Sequence, residues 1–320
     1  MGGALYSGRP WVSQVPWLIL LGVSLGCHRA SIRAITARPL HTKEFLSEVY
    51  VIDRKYEAME APRRHQPVKL LDSEPPELLW ITGAQMEVVG PDGTSPQSTE
   101  FLCHSHLGRN IQERGSYEPL LTFLQGGLIT KFPAGFGLPV LSNESLSTLD
   151  VVMNLTSDAP VRLRYKWQFE FLRDQEFQAP MKPLFTRRVQ LRKGGYRIGQ
   201  GRHENRAVVT TQLALEYDTT IHFVVAHLHA FGEFMALRDL TAGTTLFTSR
   251  ATTFPDRLAV AHVDFISSAK GIPVYKDHEY ELVAVYNNSS THECMAMGAL
   301  RLYLLDQQFQ KSPFHRSQAT

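Results

Sequence analysis

Val161-Arg162-Leu163-Arg164-Tyr165-Lys166-Trp167-Gln168-Phe169-Glu170-Phe171-Leu172 is the stretch that settles the class of fold. Val161, Leu163, Tyr165, Trp167, Phe169 and Phe171 fall on one side of an extended chain, and Arg162, Arg164, Lys166 and Glu170 on the other. A period of two residues is the mark of a half-buried strand. Working outward, the same style recurs. Residues 78–81, 86–89, 99–107 and 149–155 read as strands before this one. Gly90-Pro91-Asp92-Gly93 ends the second of them as a turn. Residues 207–215, 219–228, 234–239, 244–247, 259–266, 279–286 and 295–305 read as strands after it. Many short strands with no long helical pattern between them predict an all-β chain of sandwiches or jelly rolls.

The chain has 320 residues, enough for two domains. Pro180, Pro183, Gly194, Gly195 and Gly201 punctuate residues 173–204, and the domain boundary is expected there. The expected organisation is a signal over 1–27, an N-terminal extension over 28–67, a first β-sandwich (jelly-roll) domain over 68–185, a second over 186–308, and a tail over 309–320. A formal net charge of +2 with mixed signs leaves no basic field for nucleic acid. The glycines at 194–195 and 199–201 do not lead a strand into a helix, which argues against a phosphate loop. No Gly-x-Ser-x-Gly elbow is present.

The first residues suggest export. Arg9 precedes an apolar stretch over 11–26, broken by Ser13, Gln14 and Pro16 and too short for a spanning helix. Ser24-Leu25-Gly26-Cys27 resembles a lipoprotein cleavage site, with Cys27 as the lipidated residue and a membrane attachment; an ordinary signal peptide or an uncleaved anchor is the alternative. The expected location is periplasmic or extracellular. Cys103 and Cys294 then sit in an oxidising compartment, and sequence does not decide whether they bridge.

Chemistry concentrates in Ala226-His227-Leu228-His229-Ala230-Phe231-Gly232. Residues two apart on a strand share a side, so His227 and His229 can offer two imidazoles to one ion. Neutral imidazole suits copper, zinc, iron and nickel. Cys103-His104-Ser105-His106 repeats the pattern in the first half, and two such pairs among 13 histidines point to a purpose. Each pair has a methionine on a later strand: Met153 for the first, Met295 or Met297 for the second. A thioether is a soft ligand that favours Cu(I), so two imidazoles with a methionine read as a copper site. On an unbroken strand Cys103 and Cys294, each one place before a candidate ligand, point away from the metal. His222 is expected to pack, His262 to be a core histidine, and His278, His292, Glu233 and Asp239 to face solvent.

At this point the second half resembles the copper type II, ascorbate-dependent monooxygenases, which include the peptidylglycine and dopamine hydroxylases. The family's His-x-His-x-x-Gly is matched by His227, His229 and Gly232. Its methionine ligand follows an acidic residue and precedes a tyrosine-bearing strand, as Glu293-Cys294-Met295 precedes Leu300-Arg301-Leu302-Tyr303-Leu304. Val283-Ala284-Val285-Tyr286-Asn287 is similar to a family strand as well. The alignment places Met295 as the ligand, with Met297 as the alternative. The first half is similar but altered: His104 and His106 stand for the electron-transfer pair, and Met153 stands where the family has a histidine. The resemblance covers residues 68–306. It implies two jelly rolls with a cleft between two coppers, and O2-dependent hydroxylation of a substrate C–H bond with electrons from ascorbate or another reductant. One copper is expected at the second site, and a second ion at the first only if Met153 substitutes. The family's carboxylate-binding arginine and tyrosine are replaced by Val225 and Ala299, so a peptide carboxylate is not the expected substrate. The competing reading is a non-catalytic copper-binding protein for storage or delivery, its partner a copper donor or acceptor protein rather than a small-molecule substrate.

Overall fold

The computed structural model describes residues 39–56, 60–111, 116–176 and 178–311. The export signal and Cys27 lie outside them. The fold is all-β and strand-rich, with jelly-roll-like topology. One ten-stranded sheet runs through it, and its spatial order begins His41–Leu46, Val161–Arg173, Leu78–Val89, Phe136–Leu141. It continues Lys182–Gln190, Gly298–Leu305, Thr219–Leu228, Ile266–Val274. Two further strands, Tyr50–Ile52 and Ile129–Lys131, pair off this path.

Strand Val161–Arg173 forms for the reason its sequence suggests. Leu163, Tyr165, Trp167, Phe169 and Phe171 are buried in the first core cluster. Trp167 meets Phe123 edge to face at 4.6 Å, the geometry that ring quadrupoles favour. Each such burial stabilises by roughly 1.5–3 kcal/mol. Phe123 belongs to a four-stranded sheet of Arg63–Val68, Leu146–Val152, Leu102–Ile111 and Ser116–Leu124, which covers that core. A five-stranded sheet of Gly201–Val208, Tyr280–Asn288, Gly232–Asp239, Thr244–Thr253 and Val260–Val263 closes a second cluster.

Lys182–Gln190 joins the two halves. It pairs in parallel with Phe136–Leu141 through Lys182 and Pro183, and antiparallel with Gly298–Leu305 along its length. Its opening proline and Arg187-Arg188 mask the strand in the sequence, and the boundary expected after residue 185 falls inside it. The strand expected over 207–215 ends at Val208; the chain then makes the short helix Thr210–Leu213. That turn is held from outside, as Tyr280 N donates to Thr210 Oγ1 and the Gln212 side chain brackets the Gln190 main chain. Residues 28–67, read as an extension, supply strands from His41 onward.

Asp150 is fully buried in the first half. It accepts from Tyr50 Oη at 2.7 Å, Thr148 Oγ1 at 3.2 Å and Gln66 Nε2 at 3.3 Å, and also from Ser105 Oγ. Burial raises its pKa above the ordinary carboxylate range against these bonds. Ser105 lies between His104 and His106, so the carboxylate anchors the strand that carries them. Asp150→Ala leaves buried donors unpaired, each worth roughly 1–3 kcal/mol. The variant is expected to lose about 2–4 kcal/mol, read as a lower urea midpoint at unchanged slope. A midpoint equal to wild type would show that the network holds nothing.

Candidate metal centre

Alternation places His227 on the same face as Val225 and Phe223, which pack into the first cluster, while Val224, Ala226 and Leu228 fill the second. On the four-stranded sheet, His104 pairs with Leu124 and His106 with Thr122, on the face opposite Ser105 and Phe123. These two faces meet. Ring centroids lie 4.8 Å apart for His104 and His106, 5.0 Å for His227 and His229, and 5.7 Å for His104 and His227. Both His-x-His pairs therefore belong to one cluster. The cleft between two separate centres that the resemblance implies is closed, because the sheets that carry the pairs pack face to face.

Cys103 corrects the expectation drawn for it. Leu102 pairs with Val152 and His104 with the adjacent Val151, so Cys103 is the extra residue of a β-bulge. A bulge breaks the two-residue alternation. Cys103 Sγ consequently lies 3.2 Å from His104 Nδ1, and Cys103, His104 and His227 bring ligand atoms within 4.8 Å of one another. No disulfide joins Cys103 to Cys294.

Several imidazole nitrogens of this cluster are left without partners. Both ring nitrogens of His227 and Nε2 of His229 are buried with no hydrogen-bond partner among the described residues. His229 Nδ1 faces the Met295 carbonyl at 3.1 Å. Donation there leaves the Nε2 lone pair outward, the arrangement by which a main-chain carbonyl orients a metal-binding imidazole. His106 Nδ1 lies 2.9 Å from Thr122 Oγ1. Burial is the first cause that lowers all four pKa values, that of His104 to about 3. Neutral imidazoles with free lone pairs, beside a thiol, fit a borderline or soft metal ion.

Gly232 completes the motif for a steric reason. A Cβ there would lie 3.0 Å from Leu228 Cβ and 3.1 Å from the His229 carbonyl. Phe231 just before it holds φ +69°, so the chain turns sharply after the second histidine. Tyr286 Oη accepts from His229 N at 3.1 Å and donates to the Met297 carbonyl, tying this turn to the next strand.

The methionines are placed as follows. Met295 gives its carbonyl to His229, and its sulfur lies 2.9 Å from where a Cβ on Gly195 would stand. Met297 is buried with its main chain on Tyr286. Met153 is buried with Cys103 and Val151 in a small apolar cluster. Of the other histidines, His222 packs its ring against Phe136 in a tilted arrangement with centroids 4.1 Å apart, and His292 is exposed. His262 sits on a sheet edge, exposed and 3.4 Å from Asp264, rather than in the core. Asp239 is buried and bound to His278 at 2.7 Å, so neither simply faces solvent.

His104, His106 and His227 line a narrow pocket of about 20 Å³ with Thr122, Arg188 and Arg301, room for a metal ion or one or two waters. A wider cleft of about 930 Å³ begins just past His229 at Ala230 and runs to Arg257. Sequence reasoning passed over Thr122, Arg188 and Arg301. An arginine inside the apolar run Leu300–Leu305 was the available signal, since a charge there is rarely buried without a partner.

No protein-family model and no curated protein matches the chain. Among solved structures it is similar to a peptide-N(4)-(N-acetyl-beta-D-glucosaminyl) asparagine amidase, at 9% identity and TM-score 0.40 over 84% of this chain and 98% of that one. It is also similar to PNGase F, a glycosylasparaginase from Flavobacterium meningosepticum, at 10% identity and TM-score 0.37, covering 82% and 96%. The STIV major capsid protein gives 8% identity and TM-score 0.37, covering 88% and 99%. At these values nothing about the site's chemistry follows.

Proposed function

We propose that the protein is an exported copper-binding oxidoreductase of the ascorbate-dependent monooxygenase type, with its halves acting as two jelly-roll domains and Cys27 as a membrane anchor. The observation that carries this reading is the meeting of both His-x-His pairs in one buried cluster, with three imidazole nitrogens unpartnered among the described residues. His104 and His227, whose ligand atoms lie with Cys103 Sγ within 4.8 Å of one another, would hold the ion, with His106 and His229 as adjoining candidates, Met295 or Met297 as further ligand on the resemblance and Met153 the weaker candidate. The chemistry that bound copper supplies is reductive use of O2 to hydroxylate a substrate C–H bond, with ascorbate or another reductant as electron source. The chain's own residues do the rest. Met295 O fixes the His229 tautomer, burial keeps the rings neutral, and the narrow pocket excludes bulk water. A substrate of more than a few atoms fits the cleft past Ala230 rather than the pocket.

A second reading has its own observation. Cys103 Sγ beside His104 adds a soft donor that retains Cu(I), which suits storage or delivery to a partner protein. Loading the full chain with Cu(I), counting bound ions by mass spectrometry, and following O2 uptake with ascorbate separates them. One tightly held copper with ascorbate-dependent O2 uptake and hydroxylated product is expected. Copper without uptake overturns the monooxygenase reading in favour of storage. No copper, or preference for zinc in direct competition, overturns both.

A further inference from the structure

Arg301 stands on strand Gly298–Leu305 directly opposite Val225, on the face that meets His104 and His106. It is 7% exposed, and its Nε has no hydrogen-bond partner among the described residues. No ion pair to it is found among the described residues. Glu118, the carboxylate whose field reaches it, sits 3.6 Å from Arg109 and is half exposed. The second cation of the pocket, Arg188, adds repulsion and lies at the exposed mouth. A buried cation without a counter-ion is costly, comparable to one half of a broken buried pair. Burial lowers its pKa only to about 10, so it stays charged at neutral pH.

We infer that the pocket is a binding site for a small planar oxyanion, of the carboxylate class, held by the Arg301 guanidinium with Arg188 at its entrance. Guanidinium and carboxylate match as a two-point fork. The pocket is narrow, so the ligand is small, and formate is the smallest carboxylate. Thr122 Oγ1, a second pocket-lining polar atom, is engaged with His106, and the unpartnered donors lining the pocket are the Arg301 Nε–H and the single N–H of His227. The site needs no metal and goes beyond the copper reading.

The test uses chelator-treated, metal-free full-length protein. Thermal unfolding is followed in sodium formate and in sodium chloride at equal ionic strength. Formate is expected to raise the midpoint saturably over chloride in the wild type and not in Arg301→Met. In chloride, Arg301→Met is expected to melt no lower than the wild type, because an apolar chain replaces an uncompensated charge. Arg301→Lys, which keeps the charge and loses the fork, is expected to weaken formate binding by about tenfold, read from broadening of the ¹³C-formate resonance; that measurement also serves if Arg301→Met does not fold. No formate effect beyond chloride overturns the site. So does an undiminished effect in either variant. Copper binding plays no part in these outcomes, so failure of one reading leaves the other standing.

Discussion

On the proposed copper reading, His227→Leu is expected to release the metal, and at the same time to make the metal-free protein more stable. Both ring nitrogens of His227 are buried without partners, and each unsatisfied buried group costs roughly 1–3 kcal/mol. Leucine is of similar size and demands nothing polar, so a gain of about 1–2 kcal/mol in metal-free unfolding free energy is expected. Copper affinity should fall by more than about a hundredfold, since loss of an outer-shell partner alone typically costs 10–100-fold. Opposite signs in the two measurements are what a residue kept for a ligand would give. A variant that is less stable without metal, or that keeps its copper, would make His227 a packing residue.

The second large effect is on acid stability. Burial lowers the pKa values of His104, His106, His227 and His229 in the folded chain, while the unfolded chain titrates near the ordinary value of about 6.5. Below that value the unfolded state takes up protons that the folded state refuses. Stability contributed by neutral burial is therefore complete above about pH 6.5 and is lost as pH falls toward the folded values. Each histidine contributes a slope of about 1.4 kcal/mol per pH unit in that window. Four histidines shifted in the same direction add their slopes, so the acid dependence is steep. Asp150 works the other way, because a raised carboxyl pKa favours the fold on acidification, but it is one group against four. Urea unfolding of metal-free protein at pH 7.5, 6.5 and 5.5 should show a steep fall below 6.5, shallower by one proton in His227→Leu. A flat profile would mean that the cluster is charged or open to water in solution.

Much of this was legible in the chain. The alternation over 161–172 announced a half-buried strand, and its apolar side is the one that packs. The two His-x-His pairs announced paired imidazoles, and each pair does share a face. Gly232 marked the turn after the second pair, where a side chain would press on His229.

What the sequence determined alone was local: which residues share a side of a strand, and where strands must turn. Only the tertiary structure decided what lies across from each side. It closed the two histidine pairs into one cluster, because a strand's period says nothing about which sheet will face it. It turned Cys103 toward that cluster, because a bulge is set by pairing with Leu146–Val152 and shifts the alternation by one. It made a strand of Lys182–Gln190, whose place at the centre of the sheet is secured by neighbours on both sides. And it buried Arg301 with no counter-ion among the described residues, since the burial of a charge depends on the sheet laid over it and not on the strand that carries it.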